Sequence, residues 1–135
     1  MAVLAAGLLL AGPPAKAQVV PENFPCGRVS DLAALCAAGP TDPNVVAAVH
    51  FCHGFLASTG QFHTELTRMG GIVKPFFCLP SPLPTISDIT AGFFTRSRAN
   101  LQFAGSPAVE GVVRQATTSA PCPPSTPAAR GRRAS

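Results

Sequence analysis

Apolar positions in this chain recur every three to four residues, and no stretch alternates apolar with polar over more than a few residues, so the chain reads as helical. The first short helix is predicted to start with Ser30 as its N-cap and to run through Leu32, Leu35 and Cys36 until Gly39-Pro40 stops it. The second is the clearest. Thr41 or Asp42 supplies its N-cap and Pro43 its first position, where a missing N–H costs nothing. Val45, Val49, Cys52 and Leu56 then fall at i, i+4, i+7 and i+11, a single stripe that turns Cys52 into the core. The pattern continues through Phe62 and Leu66 to about Arg68, although Gly54 and Gly60 also permit a break near Ser58.

Gly70-Gly71 ends that segment, and Pro75, Pro80, Pro82 and Pro84 make the stretch to Thr85 irregular, with Cys78 inside it. Thr85 followed by Asp88 resembles a capping box with a shortened acid; Ile86, Ile89 and Phe93 mark the buried face of the helix it opens. Residues 100–105 are a break. Ser106-Pro107 restarts a helix by cap and proline, with Val109, Val112, Val113 and Ala116 inward, and Cys122 follows between Pro121 and Pro123. The expected class is all-α: a small bundle of about four helices with a proline-rich connecting loop. Residues 124–135 are Pro, Ser, Thr, Ala, Arg and Gly, a basic tail with nothing to bury and expected to be disordered.

The start of the chain changes how the cysteines are read. Residues 3–12 are apolar throughout and are followed by Ala15-Lys16-Ala17, the order of a signal peptide with its small-x-small cleavage site, which puts the cut after residue 17. The run is about half the ~20 residues of a membrane span, so no span is expected in the mature protein. Met1-Ala2-Val3 lacks the basic opening typical of such leaders. Residues 18–29 then form an N-terminal extension ahead of a domain over 30–123. Export to the periplasm or beyond oxidises thiols, which makes Cys26, Cys36, Cys52, Cys78 and Cys122 disulfide candidates. No two of them lie within a Cys-x2-4-Cys unit, so no metal site is expected. Five cysteines can form two bridges in fifteen ways, and sequence alone does not choose among them.

Charge adds little. The net +4 comes from Lys16 and from Arg130, Arg132 and Arg133; residues 18–129 carry six basic and six acidic side chains, which leaves no basic footprint for nucleic acid. Catalytic candidates are thin. His50 and His53 stand at i and i+3, with His63 further on and only Glu65 and Asp42 as nearby acids, a poor ligand set for a metal. Cys52-His53 suggests a thiol nucleophile, but neighbouring helix residues point apart and an oxidised cysteine attacks nothing. The acids Glu65, Asp88 and Glu110 are isolated and no Gly-x-Ser-x-Gly occurs, so neither an enzyme nor a cofactor is expected. The nine Phe read as core, but the pairs Phe76-Phe77 and Phe93-Phe94 cannot easily bury both rings, so one ring of each is either an ordinary exposed apolar residue or a candidate to reach a subunit or partner surface.

Four features occur in order: a Cys in the short first helix, Phe51-Cys52-His53-Gly54-Phe55-Leu56 in the second, the turn Phe77-Cys78-Leu79-Pro80, and the ending Pro121-Cys122-Pro123. In these the chain resembles the Rap1a/Tai family of type VI secretion amidase immunity proteins. The chain departs from that pattern at Phe55, where a Tyr is usual, at Ala120, where an aromatic is usual, and at 98–101, which lacks a helix-ending Asn-Pro or His-Pro. The resemblance implies a periplasmic helical protein, often a homodimer, that binds a cognate effector toxin such as a peptidoglycan amidase and blocks it. The pairing expected with it is Cys36 with Cys52, stapling helix one to helix two, and Cys78 with Cys122, anchoring the proline-rich loop, which leaves Cys26 unpaired or intermolecular. One geometric difficulty attends the first pair, since a tight antiparallel hairpin would offset Cys52 from Cys36. The alternative function is a small periplasmic chaperone with no dedicated partner.

Overall fold

Four α-helices, with no strand among the described residues, build the domain: α1 over Val29–Cys36, α2 over Val45–Thr67, α3 over Ile86–Ala99 and α4 over Ala108–Ser119, with single 3-10 turns at Pro21–Asn23 and Leu101–Phe103. The computed structural model describes residues 18–124; the predicted leader over 1–17 and the basic tail from residue 125 onward lie outside the described residues. An all-α bundle with an irregular proline-rich connection between α2 and α3 is therefore what the chain forms. No helix among the described residues is long and apolar enough to cross a membrane.

The short α1 sits at the centre and packs against each of the other three helices. Its Leu32 and Leu35 are fully buried, each contributing on the order of 1.5–3 kcal/mol of transfer free energy. α4 approaches it closely because residue 111 is glycine: a Cβ there would lie 2.5 Å from Val29 Cγ2. Segment 18–29, expected as an extension, supplies Val19, Cys26 and Val29 to the core. It is tied in at two places. The buried carboxylate of Asp42 accepts the Val19 N–H at 2.7 Å, and the Asn44 side-chain amide donates to the Val19 carbonyl at 3.1 Å. At Cys26 the backbone turns through a left-handed conformation (φ 53°), which lets Val29 and Ser30 donate to the carbonyls of Ser106 and Ala104.

Those two ties explain where helix starts depart from expectation. Ser30 does not cap α1; the free N–H groups of Val29 and Ser30 are satisfied by the α3–α4 connection, and the Asp31 carboxylate accepts the Arg28 N–H at 3.1 Å. α2 begins at Val45 rather than at Pro43, because Asp42 uses its second oxygen to accept the Asn44 N–H at 2.8 Å and holds a turn there. Pro107, not Ser106, occupies the N-cap position of α4, since the Ser106 backbone is committed to Val29 and Phe103. Within α4 the inward face consists of Ala108, Gly111 and Val112, and Val109 is half exposed, about a quarter-turn or more off that face. α2 does not break near Ser58. Ala48, Cys52 and Leu56 form its buried stripe, while Val45 and Val49 are half-buried.

Both disulfides pair as expected: Cys36–Cys52 with Cα atoms 5.2 Å apart, and Cys78–Cys122 with Cα atoms 4.7 Å apart. The offset of Cys52 is absorbed by the connection over 37–44, which is long enough to swing α2 back by the ~10 Å that seven helical residues rise. Disulfides of this kind fit an oxidising compartment. Cys26 is unpaired and buried, so a bridge from it to a second subunit would require the N-terminal segment to open. Burial, and secondarily the negative charge of Asp31, pushes its thiol up to about 11. Iodoacetamide at about pH 8 should therefore leave the native chain unmodified and add one carbamidomethyl group only after denaturation, readable by intact mass. Modification of the native protein at the rate of a free thiol would contradict this placement.

Candidate functional site

The C-terminal half of α2 leaves the core. No residue of this helix beyond Leu56 is buried, and the proline-rich loop folds back along it toward α4. Loop, α2, α3 and α4 together enclose an apolar cleft of about 270 Å³. Its floor is made of the buried side chains Leu56, Phe77, Phe93 and Val112, and its rim of Leu79, Pro80, Asp88 and Ser119. A second, more open groove of about 570 Å³ adjoins it, sharing Leu56, Leu79, Pro84 and Ile89 and extending to Leu83 and Glu65. Six of the eleven large apolar side chains that are exposed among the described residues lie on the loop between α2 and α3, namely Met69, Ile72, Val73, Phe76, Leu79 and Leu83, and the last two of these line the cleft and its groove. Single exposed apolar residues are ordinary, but six on the one loop that walls an apolar cleft mark an interaction surface.

Three attachments hold the loop as the wall of this cleft. Cys78 is bridged to Cys122, and its backbone N–H donates to the Ala120 carbonyl at 2.8 Å. The Phe76 N–H donates to His63 Nε2 at 3.2 Å, and the His63 ring stacks on Phe77 with centroids 3.8 Å apart and planes 14° from parallel. The Val73 N–H donates to the Leu66 carbonyl at 3.1 Å. The adjacent phenylalanines are thus divided. Phe77 is buried against His63 while Phe76 faces solvent; on α3, Phe93 is buried and Phe94 lies half-covered beneath the Arg98 guanidinium, 5.4 Å from its centroid.

Because His63 accepts a hydrogen bond through Nε2, the loop is held by the neutral ring, and burial lowers the His63 pKa below the ordinary value of 6.5. The unfolded chain then takes up a proton at a higher pH than the folded chain does. Stability from this residue is complete above the ordinary value and is lost as pH falls from there through the lowered one. His63→Phe keeps a stacking ring and removes the titration. Its urea midpoint, compared with the parent from about pH 7.5 to about pH 5, should fall less steeply with acid; parallel curves would exclude His63 as the source.

The remaining polar candidates are scattered and separately occupied. Cys52 is fully buried in its disulfide and offers no thiol beside His53. Glu65 pairs with Arg68 at 3.3 Å and Glu110 with Arg114, whose guanidinium also lies 3.8 Å from the Phe103 centroid. Asp88 accepts from the Thr85 hydroxyl at 2.6 Å and from the Thr85 N–H at 3.2 Å, completing the predicted capping box. The same hydrogen bonds hold its carboxyl below the usual carboxylate range. Among the described residues no three His, Cys, Asp or Glu side chains gather into a group able to hold a metal ion. Asp31 and Asp42, the two buried acids, each join a local partner to a distant one, and local sequence pattern does not reveal the distant ones, the Asn23 amide eight residues from Asp31 and the Val19 N–H 23 residues from Asp42. Nor does any spacing rule announce the stacking of His63 on Phe77 across a glycine- and proline-rich loop. Compared with known proteins, the chain matches no family model, no curated protein and no solved structure.

Proposed function

We propose that this protein is an exported immunity factor that binds a cognate secreted toxin, such as a peptidoglycan amidase, and blocks it in the periplasm. The observation that supports the reading is the concentration of exposed apolar side chains on the α2–α3 loop, which a disulfide fixes as one wall of an apolar cleft. Binding costs the ordering of the groups that make contact, and a loop already held by Cys78–Cys122 and His63 arrives with part of that ordering done. A surface of this kind suits one partner of complementary shape better than many unrelated clients.

The reading is tested by using the oxidised chain as bait in an extract of the organism that encodes it. A single stoichiometric partner with the sequence of a secreted wall hydrolase is the expected result. Weak capture of many denatured proteins, increasing on acidification, would instead indicate the chaperone role, and homodimers without a further partner would remove the toxin from the account.

A further inference from the structure

The cleft also carries a charge pattern. Neither it nor the adjoining groove is lined by a lysine, arginine or histidine, and their charged lining residues are Asp88 and Glu65. Glu65 is offset by Arg68, whereas Asp88 forms no ion pair among the described residues. Both hydrogen bonds that Asp88 accepts from Thr85 fall on Oδ2, Oδ1 has no hydrogen-bond partner among the described residues, and Asp88 is exposed at the rim. Beneath it the floor is apolar: Val112, Phe93 and Leu56 are nearly fully buried. Since a cavity of about 150 Å³ accommodates benzene, one of about 270 Å³ has room for a leucine or phenylalanine side chain.

We infer that the cleft receives an apolar side chain of the partner protein flanked by a lysine or arginine, with the apolar group on Val112 and Ile89 and the cation on Asp88 Oδ1. The inference rests on the reading of this chain as a protein binder and specifies the chemistry of what is bound. Insertion from outside requires this order of parts: the buried floor takes the apolar group, and the exposed carboxylate meets the neighbouring charge at the mouth. An anionic residue at the same place would lie against Asp88 and be repelled, so the rim selects the sign of the partner's flank as the floor selects its bulk.

Three probes with one six-carbon stem separate these contributions: n-hexylamine, 1-hexanol and hexanoate, each titrated into the full oxidised chain while the backbone amides of Asp88, Ile89, Val112 and Gln115 are followed by NMR. Hexylammonium should bind about two- to fivefold more tightly than hexanol, as an exposed ion pair allows, with hexanoate weakest. Asp88→Asn, which can still accept from Thr85 and so keep the start of α3, should bring amine and alcohol together. Ala116→Phe, which fills the cleft from α4, should abolish the shifts of all three. Equal affinity for the three probes, shifts located elsewhere, or no binding would overturn the inference. A chain that captures its toxin but shows no preference for the amine would keep the immunity reading and lose this one.

Discussion

Replacing Cys78 and Cys122 together with serine is expected to destabilise the oxidised protein by about 4 kcal/mol while leaving its four helices formed. The bridge closes a loop 44 residues apart in sequence, and the chain-entropy relation gives ~4 kcal/mol for a loop of that length. Both cysteines are partly exposed, so serine adds no buried unsatisfied hydroxyl to that cost. The functional loss should exceed the loss of stability, because Phe77 and Leu79 on either side of Cys78 line the cleft. With the bridge gone, the wall hangs on the Cys78 N–H to Ala120, the His63 contacts and the Val73 N–H to Leu66. Urea denaturation with far-UV circular dichroism gives the stability, and partner capture gives the function. A double variant with an unchanged midpoint and full capture would show that the loop holds itself. The shorter Cys36–Cys52 bridge, 16 residues apart, gives about 3 kcal/mol by the same relation. Its removal needs alanine rather than serine, because Cys52 is fully buried.

Phe93→Ala should cost about 3–5 kcal/mol, the range for removing a buried phenylalanine from a packed core. Phe93 is 2% exposed and is among the largest fully buried side chains of the chain. It packs near Gly111 of α4, lies in the cluster built on Leu32 and Leu35, and floors the cleft. The space left by its ring would merge with an opening that already exists, so the surroundings have little to collapse onto. A domain of this size has roughly 5–15 kcal/mol in total, and the variant should therefore unfold at markedly lower denaturant. Phe93→Leu, which keeps most of the volume, should cost less than about 1.5 kcal/mol. A loss below about 1 kcal/mol for alanine would mean that the floor is not part of the core.

How much of this was legible in the sequence depends on the range of the interaction. Periodicity and capping act within a few residues, and they placed α3 with its Thr85–Asp88 box and the buried positions Leu32, Leu35, Cys52, Leu56 and Phe93. Helix starts depart from the local pattern where a distant segment takes over a local group. Asp42 binds Val19 instead of capping, and the first amides of α1 find the carbonyls of Ala104 and Ser106 instead of the Ser30 hydroxyl. Val109, inward by the sequence pattern, lies off the buried face because the approach of α4 to α1 is centred on Gly111, a position that carries no apolar signal. Periodicity also chooses Phe93 over Phe94, whereas in the irregular loop nothing local chooses between Phe76 and Phe77, and the stacking of Phe77 on His63 decides it. The cleft itself was invisible, since it exists only where the irregular loop, a helix that outruns its bundle and the end of α4 come together.

Inhibition tests the proposed immunity role most directly. If the oxidised chain captures a wall hydrolase, as proposed, that enzyme is assayed on peptidoglycan with increasing amounts of the chain, and separately with the Cys78→Ser, Cys122→Ser double variant. Activity should disappear at equimolar oxidised protein and persist with the variant. A hydrolase that digests its substrate at full rate with the oxidised chain bound and in excess would contradict that role.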